Sequence, residues 1–179
     1  MARKRNKLLI VDGYNVLRSG ERYKTTAFGP DYTDDAFNTA RERLINDVVN
    51  FAGRDWRAII VFDGAKNEFS TGETQTIGGV RIMFSPAGQS ADKVIEKLAW
   101  DARARGIETM VVSSDAAIQN TVFGGGVDRM SANGFSRAVA VNAHEFHLDE
   151  SPKTAVKNTV AERLGGDTVA KLKALRDSL

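Results

Sequence analysis

The 179-residue sequence has no cysteine, only three prolines and a net charge of just +2. Without cysteine there are no disulfides, thiolate zinc sites or cysteine nucleophiles. No apolar run approaches the ~20 residues of a membrane-spanning helix, and the run at residues 8–11 is too short for a signal-peptide core. The small net charge gives no bulk indication of nucleic-acid binding. These absences predict a soluble protein of the cytoplasm without a membrane partner.

The composition is that of a folded domain, with 42% hydrophobic and 27% charged residues. At this length we expect one domain with a small appendage. Residues 1–6 are rich in arginine and lysine and are interpreted as a basic, solubilising tail. The domain is predicted to span residues 7–150. Residues 151–179, with proline at the second position, are predicted as a C-terminal helical extension.

Three apolar runs rich in β-branched residues each end at an aspartate, namely Asp12, Asp63 and Asp115. Such runs are typical of buried parallel strands. Helical patterns of crossover length separate them, for example the one that begins after Thr33 and ends near Ala52. This alternation predicts a doubly wound α/β sheet.

The segments between these elements are less regular. Residues 18–32 carry glycine and proline and are predicted as a loop. Residues 74–77 and 80–84 are predicted as short strands around a Gly-Gly pair. Residues 124–126 are three consecutive glycines without the lysine of a P-loop, and they are interpreted as the end of a helix.

The strand-end aspartates are expected to meet at one edge, because ligands in open parallel sheets bind beyond the carboxyl ends of the strands. Two further acids lie one turn apart on a predicted helix and share a face. Gathered carboxylates raise one another's pKa and are typical of a cation site, and oxygen-only ligands favour Mg²⁺ or Mn²⁺. The predicted cluster is Asp12, Asp63, Asp92, Glu96 and Asp115.

Four of the five members of the cluster also have a structural interpretation. Asp12 and Asp63 precede glycine and suit turns, Asp115 suits a helix N-cap, and Asp92 complements a helix dipole. Asn15 is either a turn residue or a group that orients Asp12 or contacts a phosphate. Taken singly the two interpretations are equally good, whereas four acids at one edge favour function.

The order of the motifs resembles a known family. The strand followed by residues 12–15 (Asp-Gly-Tyr-Asn) is similar to the NYN domain, a branch of the PIN-like nuclease superfamily. The strand end at residues 62–63, the acids of residues 91–96 and the Ser-Ser-Asp of residues 113–115 follow in that family's order. Residues 128–132 resemble a further block of the YacP-type subfamily. The stretch that follows departs from the subfamily, with glycine at position 134 where charged, helix-favouring residues are usual.

The resemblance implies a three-layer α/β/α sandwich with a mostly parallel central sheet and a C-terminal helical appendage. It implies a metal-dependent endoribonuclease in which one or two Mg²⁺ or Mn²⁺ ions activate water and stabilise the leaving oxygen. Asp12, Asp92 and Asp115 are then the expected metal-binding core. Asp63 and, through water, Glu96 complete the ligand set, while Asn15 orients a ligand or the scissile phosphate.

The implied partner is RNA, expected to be single-stranded because splayed strands suit a shallow acidic edge. The ribosome is a candidate partner in mRNA decay or RNA processing. Cations and an aromatic ring near Asp12 are predicted to contact RNA, with an ordinary mobile loop as the alternative. These residues are Arg18, Arg22, Tyr23 and Lys24.

Two other functions compete with the nuclease. One is a catalytically silent RNA- or ribosome-binding adaptor, although a pure polyanion binder has no use for clustered acids. The other is a phosphatase or phospho-receiver. A haloacid-type phosphatase needs a second aspartate two residues after Asp12, where Tyr14 stands, and a receiver needs an acidic pair that is also missing.

Overall fold

The computed structural model describes residues 7–30, 33–64 and 73–150, with side chains as far as residue 143. Helices and strands alternate along this part of the chain. They are β1 (Lys7–Asp12), α1 (Gly13–Ser19), α2 (Lys24–Phe28), α3 (Asp34–Ala52), β2 (Trp56–Phe62), β3 (Thr74–Ile77), β4 (Val80–Phe84), α4 (Ala91–Ala104), β5 (Glu108–Val112), α5 (Ala116–Thr121), β6 (Val127–Met130) and α6 (Ala132–Glu150).

The six strands form one sheet in the order β3-β4-β2-β1-β5-β6. Neighbouring strands are parallel except for the β3–β4 hairpin, which is antiparallel. The last residues of the central strands are in register, since Val11 lies opposite Val112 and Asp12 lies opposite Val61. The carboxyl ends of β1, β2 and β5 therefore meet at one edge, and the predicted mostly parallel α/β sheet is confirmed.

Two hydrophobic cores cover the two faces of the sheet. On β1, Leu9 and Val11 face the core that contains side chains of α1, α2, α3 and α6. Leu8 and Ile10 alternate with them and face the second core, built with α4 and α5. This alternation, the period of two of a β-strand, gives the three-layer α/β/α arrangement.

Helix α3 begins and ends where the sequence predicts. The Thr33 hydroxyl accepts the backbone N–H of Ala36 at 3.0 Å, and Gly53 follows the last turn with a φ of +48°. An N-cap hydroxyl satisfies a free N–H of the first turn, and glycine tolerates positive φ after the last turn. Ser90 lies at the N-cap position of α4 as predicted, but its side chain makes no cap hydrogen bond.

The prediction of an uninterrupted loop at residues 18–32 was wrong. Helix α1 extends to Ser19, and α2 forms a further short helix at Lys24–Phe28. The Asp12 carboxylate caps α1 through the N–H of Asn15, and the buried Tyr23 fixes the start of α2. Anchoring by residues elsewhere in the fold overrides the local turn signals of glycine and proline.

The predicted basic tail and C-terminal extension lie outside the described residues. The domain boundary after residue 150 also stays a prediction, because residues 151–179 lie outside the described part of the chain. Within the described ranges, no helix is both long enough and apolar enough to cross a membrane.

Gly13 follows the strand-end Asp12, where there is no room for a side chain. A Cβ at this position would lie 2.4 Å from Cε1 of Phe62. The Phe62 ring cannot withdraw, because it is fully buried, stacks on Phe84 at 5.6 Å and meets Tyr14 edge-on at 5.7 Å. We therefore expect Gly13→Ala to lower the free energy of unfolding by about 1–3 kcal/mol, as overpacking does.

Urea denaturation checks this expectation. Gly134→Ala is the matched control, since it lies in a helix with ordinary φ and should change the stability by no more than about 1 kcal/mol. An unchanged urea midpoint for Gly13→Ala would mean that the Phe62 ring can move away from position 13 despite its contacts with Tyr14 and Phe84.

A candidate active site at the carboxyl edge of the sheet

Asp12 ends β1 at the centre of the carboxyl edge and is only 6% exposed. Its Oδ1 accepts the backbone N–H of Asn15 at 3.3 Å, and its Oδ2 accepts the Ser113 hydroxyl at 3.1 Å. Burial raises the pKa of Asp12 from 3.8 to about 6, against the lowering effect of these two hydrogen bonds. The charges of Asp92 and Asp115 raise it further.

Asp115 follows β5 and caps α5. Its Oδ1 accepts the backbone N–H groups of Ala117 at 2.7 Å and Ile118 at 3.4 Å. Its own N–H donates to the Ser113 hydroxyl oxygen at 3.1 Å. Asp115 is thus a helix cap, as its structural interpretation predicted, whereas Asp12, for which a turn was predicted, caps α1. Both are members of one acidic cluster.

Ser113 and Asn15 join the ends of β1 and β5. The buried Ser113 hydroxyl bridges the Asp12 carboxylate and the Asp115 backbone, and the Asn15 Oδ1 accepts the N–H of Ser114 at 2.7 Å. Asn15 is therefore more than a turn residue, since it fixes α1 to the loop after β5. The bridging function of Ser113 was missed by the sequence reasoning, because nothing local links a serine to an aspartate 101 positions away.

Asp92 and Glu96 lie in the first two turns of α4, both half-buried. Burial raises the pKa of Asp92, and the charges of Asp115, Asp63 and Glu96 raise it further. Asp63 is exposed at the end of β2, where its Oδ1 accepts the Ser85 hydroxyl at 3.4 Å. The other four predicted acids therefore all lie within electrostatic range of Asp92, although the five come from four elements of the sheet and its helices.

The donor set suits a hard divalent cation, since it consists of carboxylate oxygens. In the described part of the chain the ion pairs are Lys7–Glu108 and Arg22–Asp47, so none neutralises Asp12, Asp92, Glu96 or Asp115. The carboxylates are nevertheless farther apart than the ligands of a bound metal ion. Among residues 7–30, 33–64 and 73–143, no three histidine, cysteine or acidic side chains are close enough to hold a metal ion.

Two of the residues predicted to contact RNA bind the carboxylate of Asp47. Tyr23 is fully buried and its hydroxyl donates to Asp47 Oδ2 at 2.7 Å, so the predicted RNA contact of this ring was wrong. Arg22 donates to both oxygens of the same carboxylate, at 2.7 and 3.2 Å. Asp47, buried on the inner face of α3, was not predicted. The sequence indicates this buried acid only by its position, next to Val48 within the apolar face of the helix.

The other two residues of that prediction, Arg18 and Lys24, are exposed. The Arg18 guanidinium lies 5.5 Å from the centroid of the Phe28 ring, a cation–π distance. Contact of Arg18, Lys24 and the partly exposed Arg22 with RNA stays a prediction.

Comparison with known proteins agrees with the predicted fold. The sequence model of the YacP-like NYN domain matches residues 9–177. An uncharacterised protein, YacP of Bacillus subtilis (strain 168), is 30% identical over 132 residues, which are 74% of this chain and 74% of that protein.

Two solved structures match as well. The crystal structure of Rae1 (YacP) from Bacillus subtilis has a TM-score of 0.64 at 26% identity, covering 96% of this chain and 95% of that one. Its W164L mutant gives the same TM-score at 25% identity, covering 94% and 99%. The chain therefore belongs to the YacP-like NYN domain family, a nuclease-type family of PIN-like fold.

Proposed function

We propose that this protein is a metal-dependent endoribonuclease that hydrolyses phosphodiester bonds in RNA. The observation that carries the proposal is the acidic cluster at the carboxyl edge of the sheet. Burial and then the charges of Asp115, Asp63 and Glu96 raise the pKa of Asp92, and burial raises that of Asp12 to about 6. A fold gains no stability from such repulsion, so perturbed acids gathered at one edge point to chemistry.

In this proposal Asp12, Asp92 and Asp115 hold Mg²⁺ or Mn²⁺, with Asp63 and Glu96 as outer ligands. A divalent ion held by carboxylates supplies positive charge for the leaving oxygen and lowers the pKa of water. The protein contributes the positions of the carboxylates. Ser113 and Asn15 tie the ends of β1 and β5 together and so hold Asp12 beside Asp115.

RNA as the substrate, the ribosome as a partner in mRNA decay or processing, and a location in the cytoplasm belong to the same proposal. Membership in a nuclease-type family supports the reaction class. The five acids do not themselves distinguish RNA from DNA, because nothing in a carboxylate cluster recognises a 2′-hydroxyl.

A second candidate function is an adaptor that binds RNA or the ribosome without cleaving it. The spacing of the acids favours this candidate, since no three of them in the described ranges stand at metal-ligand distance. If the protein is an adaptor, we expect its affinity for RNA to be the same with and without Mg²⁺ or Mn²⁺.

A cleavage assay separates the two functions. With labelled single-stranded RNA, we expect cleavage that requires Mn²⁺ or Mg²⁺, stops with EDTA and falls about a hundredfold or more in Asp92→Asn, because several kcal/mol of transition-state stabilisation are lost. Asp101→Asn, which removes the same charge from the same helix outside the cluster, should cleave normally. Full activity in folded Asp92→Asn would defeat the nuclease proposal, and RNA binding without cleavage by the unmodified protein would favour the adaptor.

A further inference from the structure

A groove of about 390 Å³ opens between α4 and α5, next to the acidic cluster. We call it the α4–α5 groove. The side chains of α4 that line it include Glu96, a member of the acidic cluster, together with Lys93, Lys97, Trp100 and Arg103. The groove therefore begins at the candidate active site and continues along the exposed side of α4.

Positive charge dominates this groove. Lys93, Lys97 and Arg103 face a single acid, Glu96, and none of the three cations forms an ion pair in the described part of the chain. Exposed cations that are not paired with an acid keep their positive charge available to a ligand. They suit the phosphates of a strand that passes the acids.

One large exposed aromatic ring lines the groove, and a second belongs to the residue that follows a lining residue. Trp100 is 69% exposed, and Phe123, which follows the lining residue Val122, is 65% exposed. The guanidinium of Arg129 lies 4.4 Å from the centroid of the Phe123 ring. A tryptophan with most of its surface in water stabilises the fold little, and aromatic faces among cations are typical of single-strand binding surfaces.

The three glycines of residues 124–126 border the groove rather than merely ending α5. All three have positive φ, of +117°, +53° and +89°. A Cβ at Gly125 would lie 2.4 Å from Nε of Arg103, so the backbone of this loop lies directly against the Arg103 side chain, and its φ of +53° favours glycine there. The loop thus lies beside Arg103, the groove cation that is farthest along α4 from Asp92.

The spacing along α4 suits a nucleic-acid strand. Trp100 comes eight residues after Asp92, which is about 12 Å along a helix axis at 1.5 Å per residue. At roughly 3.4 Å per stacked nucleotide, a strand at the acids reaches Trp100 within about three to four nucleotides.

We propose that the α4–α5 groove binds single-stranded RNA on one side of the cleaved phosphate, with phosphates against Lys93, Lys97 and Arg103 and a base stacked on Trp100. The inference rests on the proposed function, because it assigns the path of the substrate to the same site. It also moves the main RNA contact away from the α1–α2 region, where Arg22 and Tyr23 are held by Asp47.

Tryptophan fluorescence tests the stacking directly, without any cleavage. Trp56→Phe leaves Trp100 as the only tryptophan of the chain. Titration with a single-stranded oligouridylate in EDTA should quench the fluorescence of Trp100. In fluorescence anisotropy, Trp100→Ala should bind the same oligomer between about fivefold and a hundredfold more weakly, the usual effect of losing one base–aromatic stack.

The salt dependence of binding tests the three cations. The triple variant Lys93→Gln, Lys97→Gln, Arg103→Gln should reduce the slope of log Kobs against log salt concentration by about 2, at roughly 0.7 per phosphate contact on a single strand. Arg57→Gln is the control, since this exposed arginine lies near the start of β2, at the opposite edge of the sheet. It should leave both slope and affinity unchanged.

The outcomes separate this inference from the nuclease proposal. Metal-dependent cleavage together with unquenched Trp100 fluorescence and an unchanged salt slope would contradict RNA binding in the α4–α5 groove but not the nuclease proposal. A protein partner would then be the better occupant of the groove. Quenching and a reduced slope without any cleavage would support the groove and overturn the nuclease. Equal losses in Arg57→Gln and the triple variant would also overturn the groove, because the effect would then be one of net charge.

Discussion

Asp12→Asn is expected to make the protein more stable at pH 8, by up to about 3 kcal/mol, and to lower RNA cleavage about a hundredfold or more. Burial raises the pKa of the Asp12 carboxyl from 3.8 to about 6, and each unit of that shift corresponds to 1.36 kcal/mol. An amide of the same shape removes the buried charge. Such a combination, a gain in stability with a loss of activity, is characteristic of a residue kept for function.

The gain should depend on pH in a definite direction. Because the pKa of Asp12 is higher in the folded than in the unfolded state, the folded protein binds more protons between about pH 4 and pH 6. The contribution of Asp12 to stability therefore falls as the pH rises through this window. Above it, the buried carboxyl is charged and the full cost of burying that charge is present. The difference in stability between Asp12→Asn and the unmodified protein should be largest at pH 7–8 and should vanish near pH 4.

Urea denaturation from pH 4 to pH 8 measures both the size of the stability gain in Asp12→Asn and the direction of its pH dependence. Asp55→Asn, at an exposed turn, is the control and should show no such pH-dependent gain. A variant Asp12→Asn that is less stable than the unmodified protein at pH 8 would mean that the cap of α1 and the bond to Ser113 outweigh the cost of burying the charge.

The second large effect concerns the buried Asp47 on α3. Asp47→Ala should lower the free energy of unfolding by about 3–5 kcal/mol, the usual effect of removing one partner of a buried ion pair. Its carboxylate accepts two hydrogen bonds from Arg22 and one from the hydroxyl of Tyr23. Without it, the fully buried Tyr23 hydroxyl and a partly buried guanidinium lose their partner.

Thermal and urea unfolding measure this loss. Glu42→Ala removes an exposed acid from the same helix and should change stability by less than about 0.5 kcal/mol. Tyr23→Phe should lower stability by about 1–3 kcal/mol, because Asp47 loses one buried hydrogen bond, and should leave RNA affinity of the folded protein unchanged. Weaker RNA binding by fully folded Tyr23→Phe would restore the original prediction for the α1–α2 region.

Local patterns in the sequence were enough to predict most of the strands and helices. The apolar runs before Asp12, Asp63 and Asp115 identified β1, β2 and β5, because a buried parallel strand must be apolar on both faces. Thr33 located the start of α3, because capping depends on the next three residues alone. That the acids share one edge also followed, since parallel strands end on the same side.

Contacts between distant parts of the chain could not be predicted in this way. Ser113 bonds to Asp12 across 101 positions and Tyr23 to Asp47 across 24, and in each case burial and packing choose the partner. The distances among the five carboxylates, and the groove that brings the Gly125 backbone against Arg103, depend on how α4 and α5 pack on the sheet. Periodicity and capping act within a few residues, whereas these distances follow from the packing of whole elements, and so they required the three-dimensional structure.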